Sequence, residues 1–268
     1  MPLWGQQVKA AMNSAALRLS RVPGLFASQA KLYCLSALIA AVLGIAALTV
    51  MLHFVLGASA PNAVDPSVLW SSMTAGHKFG SVFGLLFALW TPTLLAARAT
   101  CKITSAQIVN QELSLAEVLF DMLRFLPAAL AYSLVMGLPV MIGATLLLVP
   151  GVLVASLFPL VVPTAVNEPG GMFTALRRGV SLARKVFGKA LLVAFLCFAA
   201  LLVVIVLRII GVDRYLPGSG LALVASRFAV TYVPALLVLV LANIAFTLLY
   251  QRALVAENPG VHFATPSQ

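Results

Sequence analysis

Apolar runs of about twenty residues, separated by short polar segments, recur from one end of the chain to the other. A helix rises 1.5 Å per residue, so about 20 residues cross a hydrocarbon core about 30 Å thick. The runs are continuous and rich in Leu and Ala, unlike the alternating segments of about ten residues that build a membrane barrel. Backbone groups find no water in lipid, which leaves helices as the way across. The pattern predicts spans at about 32–56, 77–98, 125–149, 152–166, 190–210 and 228–250. The fourth is short and holds Pro159 and Pro163; the second holds Thr91-Pro92, which predicts a kink.

Three segments between the spans carry a helical period but too many polar residues to cross a membrane. They are 5–20, 105–124 and 172–187. In the second, Ser114, Glu117, Asp121 and Arg124 share one face, and Leu115, Val118, Leu119 and Met122 share the other. In the third, Met172, Leu176, Val180, Ala183 and Phe187 form the apolar face; Thr174, Arg177, Arg178, Ser181, Arg184 and Lys185 form the polar one. That pattern describes helices lying in the membrane interface. The expected fold class is therefore all-α: a single domain over 1–268, a polytopic transmembrane bundle of six spans with three interfacial amphipathic helices. A surface helix followed by a two-span hairpin occurs three times, near residues 5, 105 and 172, as a repeat of hydropathy rather than of residue identity. Residues 1–30 lack the compact apolar core and small-residue cleavage site of a secretory signal, so the first run is expected to remain as a span.

Composition agrees and excludes alternatives. The chain is 62% hydrophobic and 9% charged, against about 25% charged residues in soluble domains, so its surface must meet lipid. The net charge of +10 would suit nucleic acid, but the cations flank the apolar runs. With the N-terminus inside, thirteen of the 17 Lys and Arg residues fall in cytoplasmic segments, leaving Lys78, Arg208, Arg214 and Arg227 outside. The positive-inside rule then places both termini in the cytoplasm of a multi-pass protein of the bacterial inner (plasma) membrane, with anionic lipid headgroups as partners and no nucleic acid. Cys34, Cys101 and Cys197 have neither disulfide nor metal-motif spacing and read as packing residues.

The stretch Pro150 to Val193 reads PGVLVASLFPLVVPTAVNEPGGMFTALRRGVSLARKVFGKALLV. It resembles the membrane domain of glycerophosphodiester phosphodiesterases and related uncharacterised six-span bacterial membrane proteins. Pro150, Gly151, Pro163, Glu168, Gly170, Ala175, Leu176, Arg177, Arg178 and Leu182 carry the likeness; Gly179 stands where that family usually has Ser. The resemblance implies a span layout and no activity, because in those enzymes the phosphodiester chemistry belongs to a separate soluble domain.

The best constellation for chemistry is Glu168 with Arg177, Arg178, Arg184 and Lys185. It could hold an anionic headgroup or contact a partner, using the arginines and the amides near Gly170-Gly171. In the plainer reading Glu168 complements the start of the 172–187 helix and pairs with an arginine, while the basic face rests on anionic lipid. His53 and His77 fall at the external interface without metal-ligand spacing. Asn243, deep in the last span, reads as a helix–helix hydrogen bond, and Gly80-xxx-Gly84 permits close helix approach or dimerisation. All seven acidic residues lie outside the spans, whereas ion-coupled transporters keep charge within them. No nucleophile–base pair, metal set or cofactor motif stands out, so no enzyme activity and no cofactor is expected. Three functions follow in order. The first is a scaffold, accessory subunit or lipid-interacting factor, with a membrane protein partner or a second copy. The second is a permease or lipid-translocating protein built on Pro-kinked helices. The third is an enzyme acting on phospholipid headgroups at the cytoplasmic face.

Overall fold

The computed structural model describes residues 19–56, 74–139, 158–168, 170–208, 210 and 220–257, with side chains described for these except 51–56, 75–79, 82, 85 and 220–228. Among the described residues eight α-helices form: α1 (Val22–Ser28), α2 (Ala30–Leu56), α3 (Ala75–Ile108), α4 (Leu115–Tyr132), α5 (Val161–Asn167), α6 (Met172–Lys185), α7 (Phe187–Leu207) and α8 (Gly220–Glu257). A 3₁₀ turn, Leu19–Arg21, leads into α1, and a π-turn, Ser133–Gly137, prolongs α4. No strand occurs among the described residues.

Among the described residues, four stretches are both long and apolar enough to cross a membrane: Ala30–Val50, Leu115–Gly137, Phe187–Leu207 and Ala229–Glu257. The first, third and fourth of these match the first, fifth and sixth expected runs. Leu115–Gly137 overlaps the expected 125–149 run only over 125–137 and begins ten residues earlier; 140–149 lie outside the described residues. Helix α3 contains the second expected run and has 34 residues. Its C-terminal half carries Arg98, Lys102 and several hydroxyls. Pro92 lies inside the continuous helix. Of the expected 152–166 run, 152–157 lie outside the described residues; the helical part begins at Val161. The expected surface helix at 5–20 also lies outside them, apart from Leu19 and Ser20.

The expected helix at 105–124 is corrected: it is two elements. Helix α3 ends in a Schellman motif, with Gln111 N–H donating to Ala106 O at 2.9 Å and Asn110 N–H to Gln107 O at 3.1 Å. Asn110 takes the left-handed conformation that this motif demands, at φ 54°. Four residues later a capping box opens α4. Ser114 N–H donates to Glu117 Oε2 at 2.8 Å, and Glu117 N–H returns to Ser114 Oγ at 3.3 Å. From there α4 runs without a break into the apolar segment, with Val118, Met122, Phe125 and Ala129 buried along one stripe.

The main core lies where α2, α3, α4 and α8 meet. Ala37, Ala40 and Ala41 on α2 and Ala96, Ala97 and Ala99 on α3 are all buried in it. Such small residues let helix backbones approach closely, which dispersion rewards where lipid removes the hydrophobic drive. Helix α7 packs on α8 through Ala190 and Val193, and it leaves Leu192, Phe195, Leu196 and Val203 exposed. An apolar helix so little covered by protein is suited to acyl chains.

Several hydroxyls within the bundle are satisfied on their own helix. Thr93, Thr100 and Thr104 return their hydroxyls to carbonyls four residues back, at 2.7–2.8 Å. Asn243 does the same, donating to Leu239 O at 2.8 Å; its expected bond to another helix is replaced by one on its own. Near Pro92, Leu89 O also accepts from Tyr232 on α8 at 3.1 Å. Among the described residues, nothing lies within 4 Å of a Cβ placed at Gly80. The intimate contacts fall at Gly44 against Tyr232, Gly137 against Trp90 and Gly179 against Val161. The side chains of His53 and His77 lie outside the described residues. Cys34, Cys101 and Cys197 are free thiols.

Candidate functional site

Helices α2, α4 and α7 begin, and α3, α5 and α8 end, at one end of the bundle. The five ion pairs found among the described residues all gather there. Lys185 and Glu257 close their helices, while Arg98 and Asp121 lie further in and pair with each other, as a charge away from bulk water requires.

Helix α6 crosses this end. Its buried residues are Ala175, Gly179, Leu182 and Ala183, and Met172, Leu176 and Val180 pack half-buried beside them. The apolar face therefore sits slightly rotated from the expected one. Rotation follows from Gly179, whose missing side chain lets α6 press against the backbone of Val161 in α5. Neither α5 nor α6 could approach so closely with a larger residue there.

The expected constellation divides. Arg178 is the hub. Its Nε lies 3.4 Å from Glu168 Oε2, and its Nη1 donates to Glu257 Oε1 at 2.8 Å, with Nη2 on Glu257 Oε2. Lys185 Nζ donates to the same Glu257 at 2.6 Å. Tyr250, fully buried on α8, donates its hydroxyl to Glu168 Oε1 at 3.0 Å. A chain of contacts thus runs from Tyr250 through Glu168, Arg178 and Glu257 to Lys185, tying the segment after α5, the α6 helix and the end of α8 together. The hydrogen bonds it donates to Glu257 hold the Arg178 guanidinium above its ordinary pKa, with partial burial acting the other way. Arg178 therefore stays charged at any physiological pH. Arg177 and Arg184 are exposed and stand outside this network.

Neither Glu257 nor Tyr250 belongs to the constellation expected from the sequence. The available signal was positional: an acidic residue just beyond the last apolar run, at the same membrane side as the basic helix. A second cluster was missed as well. Arg98 grips Asp121 with two bonds, Nε to Oδ2 at 2.7 Å and Nη2 to Oδ1 at 3.0 Å, in the fork geometry that favours arginine over lysine. Its guanidinium also lies 4.5 Å from the centre of the Phe125 ring and reaches Ala165 O at 3.4 Å. One side chain thus joins α3, α4 and α5. Lys102 lies 3.7 Å from the same Asp121.

Comparison with protein-family models, with curated proteins and with solved structures returns no match.

Proposed function

We propose that this is a six-span inner-membrane protein with both termini cytoplasmic, acting without catalysis as a scaffold or accessory factor that engages anionic lipid. The observation that carries the reading is the split among the cations of α6. Arg178 and Lys185 are spent on Glu168 and Glu257, which holds one edge of the helix to the bundle. Arg177 and Arg184 are exposed on the rest of it, and Phe173, in its first turn, is 73% exposed. A helix fixed along one edge presents the other ready-made, without the ordering entropy of a free segment. Arginines at an anionic leaflet contribute about 1 kcal/mol each, and an interfacial aromatic adds apolar burial. The exposed Leu, Val and Phe of α7 supply the hydrocarbon-facing surface that such a position requires.

Lipid retention tests the reading directly. The protein purified in mild detergent is mixed with equal phosphatidylglycerol and phosphatidylcholine, and bound lipid is counted by native mass spectrometry. The wild type is expected to keep phosphatidylglycerol preferentially. Replacing both Arg177 and Arg184 by Gln should cut that preference roughly tenfold or more, as two such charges imply. A double variant with unchanged preference rejects the proposal.

A further inference from the structure

The charged end of the bundle also holds a cleft that the Arg178 network does not enter. Its volume is about 320 Å³, and it opens between the last turns of α3, the first turns of α4 and the end of α5. That volume falls within the range of small-ligand sites.

Ser105 marks the cleft as more than a surface groove. This residue is 3% exposed and lines the cleft, yet its hydroxyl has no hydrogen-bond partner. No other buried side-chain oxygen or nitrogen among the described residues is left so. Neighbouring hydroxyls on α3 all find partners: Thr100 and Thr104 bond back to carbonyls, and Thr91 meets Ser133 at 3.0 Å. A buried hydroxyl left unmatched destabilises a fold, so it calls for a reason.

Lys102 supplies the second donor. It lies three residues before Ser105, on the same side of the helix. Its ammonium has only long contacts, 3.4 Å to Glu117 O and 3.7 Å to Asp121. Arg98 contributes no spare charge, being held by both oxygens of Asp121. What remains is one cation, Lys102, and one anion, Glu117, whose Oε2 serves the Ser114 cap while its other oxygen does not. A simple anion would meet Glu117 as well as Lys102, and a simple amine would meet Lys102 as well as Glu117. A ligand bearing both charges meets neither conflict.

We propose that the cleft binds a zwitterionic phospho-amine group, of which phosphoethanolamine is the simplest. The phosphate sits on Lys102 Nζ and Ser105 Oγ, and the amine faces Glu117. A phospholipid headgroup and a free phospho-amine share this chemistry. The site lies apart from the α6 surface and stands whether or not that surface meets anionic lipid.

The full chain, purified and delipidated in detergent, is titrated by calorimetry with phosphoethanolamine, inorganic phosphate and ethanolamine. Phosphoethanolamine is expected to bind at least tenfold more tightly than either half alone. Ser105→Ala should weaken it five- to tenfold without lowering the melting temperature of the free protein, because the hydroxyl it removes is unsatisfied there. Lys102→Gln should weaken it tenfold or more. Displacement by dioleoylphosphatidylethanolamine assigns the site to lipid, and failure to displace assigns it to the soluble group; either result upholds the site. Equal affinity for inorganic phosphate, no measurable binding, or an indifferent Ser105→Ala variant overturns it.

Discussion

A methyl group at Gly179 would lie 2.6 Å from the Val161 Cα and 2.8 Å from its nitrogen. Both neighbours are backbone, so no side-chain rotation relieves the clash, and α6 would have to lift off α5. Overpacking of this kind typically costs about 1–3 kcal/mol. Gly179→Ala should therefore lower the melting temperature of the detergent-solubilised protein by several degrees. Gly188→Ala makes the control, since nothing lies within 4 Å of a Cβ there and alanine favours the helix. Equal melting of the two variants would refute the contact. In the sequence Gly179 stood out only as a departure from a motif. Its packing role was invisible because it depends on a residue 18 positions earlier that shares no periodic pattern with it. Arg178 and Glu168 could be paired by reading alone because the chain returns within ten residues. Tyr250 could not, because its position in an apolar run says nothing about what it faces.

The elements were legible wherever hydropathy decides, and the errors came where local hydrogen bonding decides. The apolar runs of α2, α7 and α8 were visible because length and composition alone distinguish them. The stretch 105–124 reads as one amphipathic helix by period, yet Asn110 and the Ser114-Leu-Ala-Glu117 box divide it. Both are sequence signals in their own right, a left-handed cap residue and an S-x-x-E start. The period masks them because the turn happens to preserve its phase. At the same scale, Glu257 is what fixes α6 to α8, through Arg178 and Lys185 together. Removing its charge leaves two cations facing a neutral amide. Both pairs are partly exposed, so the loss is on the order of 1 kcal/mol rather than the several expected of a buried pair. Glu257→Gln should raise amide exchange across Met172–Lys185 roughly fivefold while leaving α2 and α3 unchanged, as hydrogen–deuterium exchange would show. A uniform rise over all helices would mean global destabilisation instead, and no rise would mean that α6 is held by its apolar face alone.

For the molecule as a whole, the asymmetry of charge is the property from which its placement in the membrane follows. The ion pairs of the described residues gather at the end where α3, α5 and α8 finish, and that end also presents Arg177, Arg184 and Arg124 to the surface. Cations flanking short loops resist translocation, so this end is expected to stay in the cytoplasm. The inference does not depend on any single residue, since the bias keeps its sign when the paired Arg98, Lys102, Arg178 and Lys185 are left out. Reporter fusions test it. A green fluorescent protein joined after Gln268 should fluoresce, and alkaline phosphatase inserted near Asp65 should be active. Phosphatase activity at Gln268 would invert the molecule. The arginines of α6 would then face the outer leaflet, where the potential that attracts cations to the cytoplasmic surface is missing, and the proposed role of that helix would go with it.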